Sequence, residues 1–311
     1  MSEIITIFHL YNMKRVPIFF VQLWRATKAA LKTFIAENYF RYSASLSYYT
    51  IFSLAPLLII TISLFGYFFG KPAMEGKIFS QIRTLVGDVV AMQIQQMIQH
   101  VVTAHDSFVV KAIGIIAMVF GVAAVFSEVQ DTINYIWKIK TMPKLNRKSY
   151  LIKRAISLGI FSIIGFTLIL SLIITMLINI FGNYLVALFG SASVYIVFAI
   201  NRIIIIAIVA MLFTFMFKYL PDGKVKWKDA IKGAIFTSVF FMLGKAAIGY
   251  FLGHFQVTST YGAAGSLVVL LLWIYYSSVI IYFGATFTKV YACLYGGKIT
   301  PRSYAVHIET K

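Results

Sequence analysis

The chain has 311 residues, of which 60% are hydrophobic and 12% charged, and its formal net charge is +18. Soluble domains carry about 25% charged residues, so this composition excludes a soluble globular fold and calls for surfaces that face lipid. Cys293 is the single cysteine, which excludes a disulfide framework and a cysteine-based metal site.

Residues 1–45 read as a cytoplasmic N-terminal segment with an amphipathic helix over 17–39. Arg25, Lys28 and Lys32 fall on one face, and Trp24, Leu31, Phe34 and Ile35 on the other, the pattern of a helix lying in the membrane interface. No short apolar core precedes a small-residue cleavage site, so no removable signal peptide is expected. The stretch 46–70 is the first expected span. Pro56 removes a backbone hydrogen bond within it and is expected to kink the helix, with neighbours satisfying the freed carbonyl. The run 41–49, Arg-Tyr-Ser-Ala-Ser-Leu-Ser-Tyr-Tyr, is small and polar for a membrane helix. Residues 75–106 are too polar to span, and their spacing predicts two amphipathic helices on the outer surface, broken at Gly87–Asp88.

The second span is expected over 109–127. Gly114, Ala117, Gly121 and Ala124 form a stripe of small residues that continues to Glu128 and Asp131, which places both carboxylates inward among helices. Asn134 follows near the helix end and reads as a cap. A basic loop, 138–154, leads to spans over 155–181, 194–217, 230–253 and 261–289. The fourth span contains Arg202. The fifth contains Lys245 and the packing pair Gly249 and Gly253. The sixth opens on Gly262 and Gly265 in a run of small residues that admits a neighbouring backbone. Residues 46–292 therefore read as a six-helix transmembrane domain, and 293–311 as a short basic cytoplasmic tail.

Orientation follows from Lys and Arg. The N-terminal segment, the loops after spans two and four and the tail hold 22 of the 28, the opposite side holds 4, and Arg202 and Lys245 are the other 2. Both termini are accordingly expected in the cytoplasm, with the positive charge forming a collar against anionic lipid headgroups. A nucleic-acid partner would need that charge gathered on one soluble face, and none is expected.

Three stretches carry a resemblance. Residues 43–57, Ser-Ala-Ser-Leu-Ser-Tyr-Tyr-Thr-Ile-Phe-Ser-Leu-Ala-Pro-Leu, resemble the first-span signature of the YihY/BrkB family of bacterial inner-membrane proteins. Residues 261–266, Tyr-Gly-Ala-Ala-Gly-Ser, with Trp273-Ile274-Tyr275-Tyr276 and Gly284-Ala285, are similar to its last-span signature. Residues 126–137 resemble its end of span two. The resemblance implies a six-span bacterial inner-membrane protein. Members have carried a ribonuclease label generally regarded as a misassignment, and some are linked to export or flipping of lipid-like anionic molecules. It supplies no catalytic residue.

Two groups of residues are candidates for function. Arg202 and Lys245 each lie about eight residues from the outer end of an expected span, roughly 12 Å deep. Two cations at one depth are costly unless they meet a partner or water. Either they line an outward-facing polar cavity that accepts an anion, such as a lipid phosphate or carboxylate, or they snorkel to the interface. Glu128 and Asp131, with Asn134 beside them, form either a cytoplasmic gate or proton-coupling pair, or a structural pairing in which the carboxylates neutralise Lys138, Lys140 or Arg41. Pro56, Gly114, Gly121, Gly249, Gly253, Gly262 and Gly265 are assigned to kinking and packing. The five histidines are scattered, so no metal, no cofactor and no catalytic residue is expected. The leading function is a transporter or flippase for an anionic or amphipathic small molecule or lipid. The alternative is a non-transporting envelope scaffold, and nuclease activity is disfavoured because no cluster exists to activate water.

Overall fold

A computed structural model describes residues 20–53, 79, 83, 88, 90–95, 108–142, 192–254 and 265–308. Pro56, Gly262, the span expected over 155–181 and most of 46–70 and 75–106 lie outside the described residues.

Helix α1 covers 20–36 and α2 is described over 39–53, with a turn at Glu37–Asn38 between them. Asn38 adopts φ 52°, in the left-handed region that asparagine tolerates better than most residues, and the chain changes direction there. Ala26, Ala30 and Phe34 of α1 are buried, while Trp24, Leu31 and Ile35 are exposed. Phe34 therefore leaves the interfacial face expected from sequence. At about 100° per residue it stands roughly 80° from Trp24, and its ring meets Phe283 edge-on at 5.7 Å. The hydroxyls of α2 bond to their own helix: Ser43 to Tyr39 O at 3.2 Å, Ser47 to Ser43 O at 2.8 Å and Thr50 to Leu46 O at 2.7 Å. Back-bonding of this kind lets small polar residues sit inside a bundle without an orphaned donor.

The long helices are α3 (Phe108–Ile136), α4 (Ala192–Tyr219), α5 (Trp227–His254) and α6 (Gly265–Tyr295). Three stretches among the described residues are long and apolar enough to cross a membrane: Arg202–Tyr219, Trp227–Phe251 and Leu267–Tyr295. Gly121 of α3 lies against Ser53 of α2, where an added Cβ would meet the serine Cβ at 2.8 Å. The small residue expected to pack is thus packed.

Helices α5 and α6 lock through a reciprocal pair of glycines and threonines. Thr288 lies over Gly233, and Thr237 lies over Gly284; a Cβ at either glycine would stand 1.9 Å from the threonine oxygen. Each threonine donates to the glycine carbonyl one turn back in its own helix, Thr237 to Gly233 O and Thr288 to Gly284 O, both at 2.7 Å. Close approach brings Phe236 and Phe287 into a stack with centroids 3.8 Å apart. Gly244 admits the Tyr276 hydroxyl, which donates to Phe240 O at 2.9 Å. Gly249 behaves otherwise: nothing lies within 4 Å of the Cβ it lacks, so it is not a packing glycine in this fold. Gly265 is buried, whereas the surroundings of Gly114 and Gly253 lie outside the described residues.

After α6 the chain folds back instead of trailing away. Strand β4 (Ala305–His307) pairs antiparallel with β1 (Ile139–Thr141), which follows α3. Strand β3 (Thr300–Pro301) pairs with β2 (Gly223–Lys224), which follows α4. The ends of α3, α4 and α6 and the start of α5 are thereby gathered at one end of the bundle, called here the clasp end. Lys138, at φ 56°, makes the turn from α3 into β1, and its ammonium bonds both oxygens of Glu37 at 3.0 and 3.1 Å, so the turn after α1 belongs to the same end.

Candidate functional site

The clasp closes on one side chain. Asp222, almost fully buried in the turn after α4, accepts hydrogen bonds from Gln130 Nε2 at 3.0 Å, Asn134 Nδ2 at 3.0 Å and Thr141 Oγ1 at 2.7 Å. Its own N–H donates to Asn134 Oδ1 at 2.8 Å, and its carbonyl accepts from the Arg302 N–H at 2.9 Å. A buried carboxyl is costly unless its oxygens are hydrogen-bonded, and here three side-chain donors from α3 and β1 bond them. Asn134 is therefore no helix cap. Helix α3 runs on to Ile136, and the Asn134 amide grips Asp222 with both its donor and its acceptor.

Two cations close helix ends at the same place. Lys289 of α6 donates to the last carbonyl of α3, Ile136 O, at 2.7 Å. Arg302 of the returning chain donates to Tyr219 O at 3.1 Å and Lys218 O at 3.5 Å, at the end of α4. Unsatisfied carbonyls and the negative end of the helix dipole both favour a cation there. Trp137 is buried beside them and donates to Ala285 O at 3.1 Å. Tyr304, also buried, has its phenol pushed above the ordinary range, first by burial and also by the neighbouring Asp222.

Of the other two residues expected near this end, Glu128 is half-buried and Asp131 is exposed. The small-residue stripe passes through Gly121 to Glu128 and leaves Asp131 about 80° round the helix, so inward placement holds for the first better than for the second. Both lie within electrostatic reach of Tyr282 on α6. Lys138, one of their expected partners, bonds Glu37.

Arg202 and Lys245 stand towards the opposite end. Arg202 is about 17 residues before the end of α4 and Lys245 about 18 after the start of α5, so each is roughly 26 Å from the clasp by helical rise. Arg202 is exposed and Lys245 half-buried. They act on each other electrostatically, and Asp88 acts on Lys245 with the opposite sign. Asp88 is ion-paired with Arg83, which together with Lys245 holds its carboxyl below the ordinary carboxylate range. The two cations thus lie at similar height on adjacent helices and within electrostatic reach of each other, and Asp88 within reach of Lys245.

Apolar helices of spanning length, hydroxyls turned back onto their own backbones and helix packing through glycine define a multi-pass membrane protein. The chain matches the family described as Virulence factor BrkB over residues 30–305 and belongs to it. Similar proteins include a UPF0761 membrane protein of Ralstonia nicotianae, 25% identical over 249 residues, covering 78% of this chain and 53% of the relative. Another, from Verminephrobacter eiseniae, is 27% identical over 285 residues, covering 88% and 64%. A third, from Mannheimia succiniciproducens, is 26% identical over 279 residues, covering 86% and 92%. The chain thus spans about half to two thirds of the length of the first two and nearly all of the third. No solved structure matches.

Proposed function

We propose that this protein is a multi-pass inner-membrane transporter or flippase for an anionic or amphipathic small molecule or lipid, with no catalytic chemistry of its own. Arg202 and Lys245 receive the anion. The observation that carries the reading is the placement of two cations at similar height on adjacent helices, far from the clasp and within electrostatic reach of each other, with Asp88 in reach of Lys245. Like charges kept together in a low-dielectric region are costly, and an incoming phosphate or carboxylate relieves that cost. Asp88 would then act as the resident anion that the substrate displaces or neighbours.

Six spans with both termini in the cytoplasm complete the reading. What supports this topology is the agreement between charge and connectivity. The segments holding 22 of 28 basic residues include the turn after α1, the turns after α3 and α4 and the chain after α6, which meet at the clasp. The clasp end then faces the cytoplasm and the Arg202–Lys245 pair faces outward.

The test uses purified protein in proteoliposomes containing fluorescent phosphatidylglycerol, with and without a proton gradient. Transbilayer movement or binding should be present in the native chain and lost in the double variant Arg202→Gln/Lys245→Gln, while thermal stability is kept. Binding unchanged in the double variant rejects the anion site. No movement under any gradient, with normal folding, would favour the scaffold role.

A further inference from the structure

We propose that α1 is a docking surface for the anionic leaflet of the membrane, held edge-on to the bundle so that one stripe enters the acyl region and its neighbour reads headgroup charge. This inference does not depend on the transport reading.

The helix has three faces, and each has a different neighbour. Ala26, Ala30 and Phe34 are buried against the bundle, with Phe34 meeting Tyr39 at 5.6 Å and Phe283 at 5.7 Å. Phe20, Trp24, Leu31 and Ile35 fall within about 60° of one another and form a second stripe. Their exposure is high, 70% for Trp24 and 58% for Ile35. Arg25, Lys28 and Lys32 form a third stripe beside it and are also exposed. An amphipathic helix with no docked face would be free to roll. This one is fixed in rotation by two alanines and a phenylalanine, so its apolar and basic stripes are presented at a set angle.

The occupant follows from the chemistry of the two stripes. A soluble partner would leave a bulky tryptophan-led stripe flanked by three like charges, which demands an acidic and apolar counterpart at once. An anionic phospholipid bilayer supplies both, as acyl chains below and phosphates above. The stripe is at the clasp end: Glu37, at the end of α1, bonds Lys138. Lys138 also stands over the Tyr135 ring at 5.0 Å, and Arg41 over Tyr42 at 5.5 Å, which continues the positive rim beyond α1. Tryptophan beside lysine and arginine at a membrane boundary is the arrangement in which the ring sits at headgroup level and the long cationic stems reach outward.

The experiment places spin labels on the full-length chain in a Cys293→Ser background, since Cys293 is exposed and would otherwise compete. Labels are introduced singly as Trp24→Cys, Leu31→Cys and Lys28→Cys. The protein is set in nanodiscs of phosphatidylcholine, with or without phosphatidylglycerol. Relaxation by oxygen, which concentrates in lipid, is compared with relaxation by a water-soluble nickel chelate. Labels at 24 and 31 should favour oxygen several-fold more than the label at 28. Adding phosphatidylglycerol should deepen 24 and 31, and the shift should vanish when Arg25→Gln and Lys32→Gln are added. Equal nickel access at all three positions would show a solvated or protein-covered helix and overturn the proposal. A depth indifferent to phosphatidylglycerol would overturn its anionic selectivity. A label at Ile133→Cys, buried in α3, is the folding control: it should resist both reagents in every sample that is interpreted.

Discussion

The two ends of the bundle solve the problem of buried charge in opposite ways. At the clasp end, Asp222 is enclosed by neutral donors from α3 and β1, Lys289 and Arg302 bond helix termini, and Lys138 bonds Glu37. At the other end, Arg202 and Lys245 lie within electrostatic reach of each other, one exposed and one half-buried, and Asp88 pairs with Arg83 within reach of Lys245. A saturated network holds one geometry and resists change, whereas exposed and half-buried charges keep contact with their surroundings. Structure should therefore be sensitive at the clasp and tolerant at the far end, and ligand response the reverse.

The largest effect expected is at Asp222. Asp222→Ala strands donors of Gln130, Asn134 and Thr141 in a buried site and should cost about 3–5 kcal/mol, read as a fall in Tm of the purified protein in detergent. A loss below about 1 kcal/mol would show that the clasp does not hold this end together. Next, Gly284→Val drives a side chain into Thr237 and should cost about 1–3 kcal/mol by overpacking. Its comparator, Gly249→Val, enters open space and should stay within about 0.5 kcal/mol. Equal effects at the two glycines would contradict the reciprocal packing of α5 and α6.

Trp137→Phe keeps most of the ring and loses the bond to Ala285 O, a change of about 1–2 kcal/mol. Arg202→Gln/Lys245→Gln should leave Tm unchanged or slightly raised, since it relieves like-charge repulsion; a large fall would turn the pair into a structural element.

The smallest effects are in pH dependence. The phenol of Tyr304 is held above its ordinary value, so on raising pH the unfolded chain loses this proton first, and the clasp weakens from about pH 10 upward. Amide exchange of residues 300–307 should quicken there, and less so in Tyr304→Phe. Asp88 runs the other way. Its carboxyl is held low, so the contact with Arg83 persists above the ordinary carboxylate range and fades as pH falls below it. Mobility of a label near residue 83 should rise only in acid.

Membrane residence, the apolar helices and the family signatures were legible in the chain because each is a local property of composition and length. So was the approach of Gly121 to a neighbour, since a stripe of small residues has few other uses in lipid. The similar height of Arg202 and Lys245 along α4 and α5 was also readable, because a helical hairpin converts sequence distance into height. Phe34 was misplaced because two apolar faces of α1 differ only in what they meet. Gly249 was misplaced because a small residue permits close packing without requiring it.

Asp222 escaped notice altogether. Its side-chain donors Gln130, Asn134 and Thr141 lie 81 to 92 residues away, and a lone aspartate in a turn carries no periodic signal. The same holds for the tail, whose strands of two and three residues pair with segments on either side of α4. Hydropathy, summed along the chain, decided that this protein lives in a membrane. Only the folded arrangement decided which polar groups close on one another, because hydrogen bonds between distant segments exist only once the helices have brought them within about 3 Å.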